Sequence, residues 1–129
     1  MTAPYSTAIV EHFRRPRNYG ALPNATSDAE GVNPLCGDRV RVAVLMDAEG
    51  AIAVARFTAN ACAICVASAS LLTEHVRGMP RTDAARLTDD DALKLLGDAI
   101  PAARRRCGTL PVEALRRAIA SVEEARRHA

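Results

Sequence analysis

The chain has 129 residues, 49% of them hydrophobic and 25% charged, with a formal net charge of +2. That is one domain of ordinary size with enough apolar residues for a core of its own, and global disorder is excluded. The small charge argues against nucleic acid as a main partner, and no apolar run is long enough to span a bilayer. With two Tyr, two Phe and no Trp, the core must rest on Val, Leu, Ile and Ala.

Ile9, Val10 and Phe13 follow a Ser6 cap at helical spacing, and Pro16 stops the run. Residues 18–35 are rich in Gly, Pro, Asn and Ser and read as loop with at most one short strand. Val40, Val42, Val44 and Met46 alternate with Arg39, Arg41 and Asp47 as a half-buried strand. Residues 47–50 turn the chain, and Ile52, Val54 and Phe57 continue in extended spacing to Asn60. This hairpin places Cys36 before one strand and Cys62 after the other, so both emerge at one open end of the sheet.

From Ala63 to Arg77 the pattern is helical, closed by Gly78 and Pro80. Its small residues Ala67, Ser68, Ala69 and Ser70 suit close packing against a neighbour. Thr88 with Asp91 is a capping box for a helix over 89–96 that Gly97 ends. Pro101 begins a short turn carrying Arg104 to Cys107, and a final helix follows Pro111. On that helix Val112, Leu115, Ile119 and Val122 share a face, while Glu113–Arg117 and Glu123–Arg127 form i,i+4 pairs. Strands first and most helices after predict an α+β domain: a small antiparallel β-sheet packed with helices, spanning residues 1–129.

The chemistry concentrates in Cys36, Cys62 and Cys107, with Asp38 two residues after the first. The N-terminal residues lack the basic and apolar regions of a signal peptide, so a cytoplasmic location with reduced thiols is expected. Three thiolates and a carboxylate complete a four-ligand shell for zinc or an iron–sulfur cluster. A carboxylate is the harder, more exchangeable ligand, which suits a metal or cluster meant to leave. The shell and a Zn²⁺ ion or a [2Fe–2S]²⁺ core sum to a charge of about −2. Arg104, Arg105 and Arg106 stand just before Cys107 and are expected to offset that charge and lower thiol pKa values, or else to form only a solvated helix face. Cys62 and Cys65 make a C-x-x-C, but the preceding hairpin is not the βαβ context of a thioredoxin. Cys65 is expected one turn into the helix and packed inside, or as a spare thiol near the site. His12, His75 and His128 have no metal-ligand spacing, and structural or solvent-facing roles are expected for them.

These residues carry a family resemblance. Tyr5-Ser6, the segment from His12 and Phe13 through Pro16, Asn18 and Gly20, Cys36-Gly37-Asp38, Ala55-Arg56-Phe57, Cys62, Ala67-Ser68-Ala69-Ser70 with Thr73, and Cys107 before the last helix are all present. The chain resembles iron–sulfur cluster assembly scaffolds of the IscU, NifU N-terminal and SufU type. The resemblance implies a domain that accepts sulfur from a cysteine desulfurase, combines it with iron and hands a transient [2Fe–2S] cluster to apo acceptor proteins. It places the ligands on Cys36, Asp38, Cys62 and Cys107, with Zn²⁺ as the alternative occupant. Cys107 and Cys36 are the favoured sulfur acceptors, and Arg14–Arg17 with the Arg residues near Cys107 the expected desulfurase contacts. A monomer or weak dimer is expected.

Three departures from the family pattern bear on function. Arg106 stands where the IscU branch has His, which favours the SufU branch and a zinc-dependent sulfurtransferase that relays persulfide sulfur without a stable cluster. The longer segment of SufU proteins between the second and third cysteines is nevertheless missing. Ile100-Pro101-Ala102-Ala103-Arg104 replaces the Leu-Pro-Pro-Val-Lys segment read by a dedicated chaperone, so weak or no chaperone recognition is expected. Ala61 and Ala63 flank the middle cysteine where glycine is usual, which predicts a stiffer loop. A plain zinc-stabilised module without sulfur chemistry is the third alternative.

Overall fold

The computed structural model describes residues 6–97 and 99–127. Tyr5 and His128 lie outside the described residues. Three antiparallel strands, β1 (Ser27–Asn33), β2 (Asp38–Met46) and β3 (Ile52–Asn60), form a sheet in the order β1-β2-β3. Around it lie α1 (Thr7–Arg14), α2 (Ala63–Val76), α3 (Arg81–Ala85), α4 (Asp89–Leu96) and α5 (Arg105–Arg127). The expected α+β class is found.

Alternation in β2 buries Val40, Val42 and Val44 and leaves Arg39 and Arg41 exposed. A bulge where Leu45 pairs with Val54 but Met46 with Ile52 changes the parity of β3. Ile52, Ala55 and Phe57 therefore all point inward and Val54 does not, so residues 52, 54 and 57 are not one inward face. β1 is longer than residues 18–35 suggested, at seven residues. Asp28, Gly31 and Asn33 give it little strand propensity, and its place in the sheet comes from pairing with β2 and packing under α5.

The helix caps follow the sequence. Ser6 Oγ accepts from the Ile9 N–H, and Thr88 and Asp91 complete a reciprocal capping box ahead of Gly97. α3 has no counterpart in the sequence reading: five residues with one buried side chain, Ala84, show no periodicity to read. The last helix begins at Arg105 rather than after Pro111, which lies in its second turn. Burial of Cys107, Gly108 and Leu110 extends the helix backwards, and Pro111, lacking an N–H, cannot donate to the Cys107 carbonyl four residues earlier. Glu113 does pair with Arg117, at 3.3 Å, but Glu123 pairs with Arg81 of α3, at 3.2 Å, a partner sequence spacing could not show.

Many of the motif residues away from the cysteines form a clasp between the N-terminal segment and α2. Ser70 Oγ lies 2.7 Å from His12 Nδ1 and accepts the Arg17 N–H at 2.8 Å. Asn18 donates its side-chain amide to Thr73 Oγ1 at 3.3 Å from a left-handed backbone (φ 62°) that asparagine tolerates. His12 thus has the structural role expected of it, with a pKa lowered by burial and by Arg17.

Candidate functional site

Two turns and two helix starts converge at the open end of the hairpin. Cys36 sits in the turn joining β1 to β2, which Asn33 organises. The Asn33 carbonyl accepts from the Cys36 and Gly37 N–H groups at 3.3 and 2.8 Å, and its side-chain oxygen accepts from Leu35 N–H at 3.2 Å. Gly37 adopts φ +78°, which returns the chain to Asp38 opposite Asn33. Asn33 has no assigned role in the sequence reading, although Asn before Pro in a turn is a signal for it.

Cys62 is the N-cap of α2, reached from the end of β3, where Asn60 pairs with Arg39. Ala61 and Ala63 cause no strain there, because Asn18 is the one non-glycine residue with positive φ among those described. Cys107 lies in the first turn of α5 and is buried. Ser68 of α2 donates to the Gly108 carbonyl at 2.6 Å, joining the two cysteine-bearing helices.

Sγ of Cys36, Sγ of Cys107 and a carboxylate oxygen of Asp38 all lie within 4.8 Å of one another. Cys62 falls outside this tightest group but lies near enough for its charge to bear on the Cys107 thiol. All four residues singled out in the sequence are thus neighbours. Exposure is graded: Cys36 is exposed, Cys62 half-buried, and Asp38 and Cys107 buried. Asp38 Oδ2 is buried with no hydrogen-bond partner, a costly arrangement that a bound cation would relieve. The donor set of soft thiols and one carboxylate fits Zn²⁺ or an iron–sulfur cluster.

Of the two roles expected for the arginine run, the solvated helix face is the one found, with Arg104, Arg105 and Arg106 exposed. Arg105 pairs with Asp90 at 2.9 Å and Arg106 with Glu113 at 3.4 Å, carboxylates outside the site. The Cys107 thiol is not lowered but pushed up to about 12, by burial first, then by the neighbouring Cys62 and Asp38. Cys65 is fully buried one turn into α2, and its thiol is also pushed up by burial and by Asp38 and the other three cysteines. A cleft of about 660 Å³ beside Arg17, Leu71 and His75 has no cysteine in its walls. The thiol site is a surface-reaching group, not a closed pocket.

The fold and site define a small α+β domain that gathers thiols and a carboxylate at one sheet end. Residues 4–129 match the model of the NifU-like N terminal domain family. The chain belongs to this family. It is 31% identical over 125 residues to the iron-sulfur cluster assembly scaffold protein IscU of Escherichia coli strain K12, covering 95% of this chain and 96% of that one. It is 32% identical over 118 residues to the bifunctional protein NifU/MnmA of Rubrobacter xylanophilus, of which it spans 24%. Its fold is similar to that of the N-terminal part of a nitrogen-fixing NifU-like protein from Brucella abortus, with a TM-score of 0.77 at 23% identity, over 92% of this chain and 94% of that one.

Proposed function

We propose that the chain is a single scaffold domain on which a [2Fe–2S] cluster is built from desulfurase-derived sulfur and iron and then passed to apo acceptor proteins. The observation that carries this reading is the unpartnered, buried Oδ2 of Asp38 beside the sulfurs of Cys36 and Cys107. A structural site would use a fourth thiolate or a histidine; a carboxylate makes the shell complete but easier to open. Cys36, Asp38, Cys62 and Cys107 would hold the cluster, which is the cargo of the reaction. Cys36, exposed at a turn tip, is the thiol a desulfurase reaches most readily. Buried Cys107 is the less accessible of the two favoured acceptors. Among the described residues no helix is long and apolar enough to cross a membrane, which is compatible with a cytoplasmic setting for these exchanges.

Arg106 supports a second reading, a zinc-dependent sulfurtransferase that relays persulfide sulfur without holding a cluster. Its guanidinium is engaged by Glu113 and offers no ring nitrogen to iron. Anaerobic incubation of the zinc-loaded chain with a cysteine desulfurase, cysteine and ferrous iron separates the two. Sulfur-to-iron charge-transfer bands, abolished in Cys36→Ser and Cys107→Ser, are expected of the scaffold. Retained zinc with added sulfur and no bands would establish the relay.

A further inference from the structure

Cys65 is the one cysteine the proposed ligand set leaves unused, yet it stands directly behind that set. It is fully buried, and the charges that bear on it are those of Asp38, Cys62, Cys107 and Cys36. Cys62 occupies the N-cap of α2 and Cys65 the third helical position after it. This chain shows what that spacing does at the start of α4. There Thr88 (φ −98°, ψ 169°) and Asp91 reach each other closely enough to exchange hydrogen bonds of 3.1 and 2.9 Å with each other's backbone. Cys62 has the same extended backbone (φ −70°, ψ 168°) and makes no side-chain cap hydrogen bond. Residues so placed have Cα atoms about 5–6 Å apart, inside the range a disulfide spans.

A further requirement comes from the chemistry of the cargo. Sulfur arrives from a desulfurase as persulfide, whereas a cluster contains sulfide, so each atom needs two electrons. We propose that Cys62 and Cys65 are a redox-active dithiol that supplies those electrons, Cys65 acting as the resolving thiol for a persulfide on Cys62. The proposal rests on the sulfur-accepting reading above. Sulfur taken first by exposed Cys36 reaches Cys62 by exchange, the Cys36 persulfide becoming a thiol as Cys62 becomes the persulfide. Cys65 sulfur then bonds Cys62 Sγ, the bond from Sγ to the terminal sulfur breaks, and that sulfur leaves as hydrosulfide with the Cys65 proton. The products are one Cys62–Cys65 disulfide and one H₂S; the terminal sulfur is reduced and the two cysteines are oxidised. An external dithiol reductant must restore the pair before the next turnover. Burial makes Cys65 a slow nucleophile, and holding it one helical turn from its target offsets this through effective concentration. It also keeps Cys65 from reacting with bulk oxidants.

The test is a single turnover. Apo wild type and Cys65→Ala are treated anaerobically with a cysteine desulfurase and one equivalent of cysteine, without other thiols, then assayed for sulfide and mapped by peptide mass. Cys65→Val, closer to the thiol in bulk, guards against a cavity effect, and Zn²⁺ binding by both variants checks that the site is intact. The expected result is about one sulfide per wild-type chain with a Cys62–Cys65 disulfide, and about tenfold less sulfide from the variants, which keep the extra sulfur as persulfide. Sulfide release by both variants at the wild-type yield overturns the proposal. So does a wild-type chain that keeps its persulfide with Cys65 free, or a disulfide between other cysteines. If no chain gains sulfur or releases sulfide, the sulfur-accepting reading fails and this proposal fails with it.

Discussion

The buried hydroxyl of Ser68 donates a 2.6 Å hydrogen bond to the carbonyl of Gly108, and so fastens the helix that Cys62 opens to the residue after Cys107. This contact, between residues 40 apart in sequence, helps hold the separation of the two cysteines. Ser68→Ala is expected to cost about 1 kcal/mol of stability. Because the contact helps hold ligand spacing, Zn²⁺ affinity should fall as well. Thermal unfolding with and without zinc measures both; unchanged affinity would remove the positioning role.

Gly108 itself is a close-approach position. A Cβ there would lie 2.8 Å from Leu93 Cδ2 and 3.1 Å from Leu96 Cδ1. Leu93 can swing aside, but Leu96 is fully buried. Overpacking of about 1–3 kcal/mol outweighs the gain of up to about 1 kcal/mol from replacing a helical glycine. Gly108→Ala should therefore unfold at a lower temperature than wild type, as a calorimetric scan would show.

Asp38→Ala should have opposite effects on the empty and loaded forms. Removing the carboxylate abolishes a buried, unpartnered oxygen, which should stabilise the apo chain by about 1–2 kcal/mol. The same change deletes a ligand, so the added stability on zinc or cluster binding should shrink. Paired melting curves check this. A variant less stable when empty would mean that Asp38 is anchored by contacts other than those of the site.

Much of this was legible before any coordinates. The alternation through Val40, Val42 and Val44, the capping box at Thr88 and the stop at Gly97 are local signals, and each stands where the spacing put it. The placement of Cys36 and Cys62 at one end of the sheet followed from their positions before and after the hairpin. Less legible were features set by tertiary contact. The start of α5 at Arg105 depends on what Cys107 and Leu110 bury against, and Pro111 misleads as a start signal. The arginines before Cys107 are near the thiols in sequence, but Asp90 and Glu113 draw two of them away. An unpartnered oxygen on Asp38 and the depth of Cys65 are properties of packing that no spacing reveals.

The Cys107 thiol gives a pH dependence with a defined sign. Its ordinary pKa of 9.0 is raised to about 12 in the folded chain, chiefly by burial. Folding thus favours the neutral thiol, and this contribution to stability is fully present below about pH 9. It is lost progressively as pH rises from about 9 to 12, because the unfolded chain ionises first. Denaturant titrations of the apo chain across that window should show the loss, and Cys107→Ala should remove the Cys107 share of it, leaving the share of buried Cys65. At neutral pH, metal binding must expel the Cys107 proton, so zinc affinity should rise with pH below that range, with proton release measurable in buffers of different ionisation enthalpy.

The central claim is that the site holds its cargo only to give it away. The direct measurement is cluster transfer: the reconstituted chain, freed of excess iron and sulfide, is mixed with an apo iron–sulfur acceptor in the presence of an iron chelator. A scaffold predicts that the charge-transfer bands leave this chain and those of the holo acceptor rise with matching kinetics, faster than iron reaches the chelator. Bands that never form, or a cluster lost to the chelator while the acceptor stays empty, would contradict it.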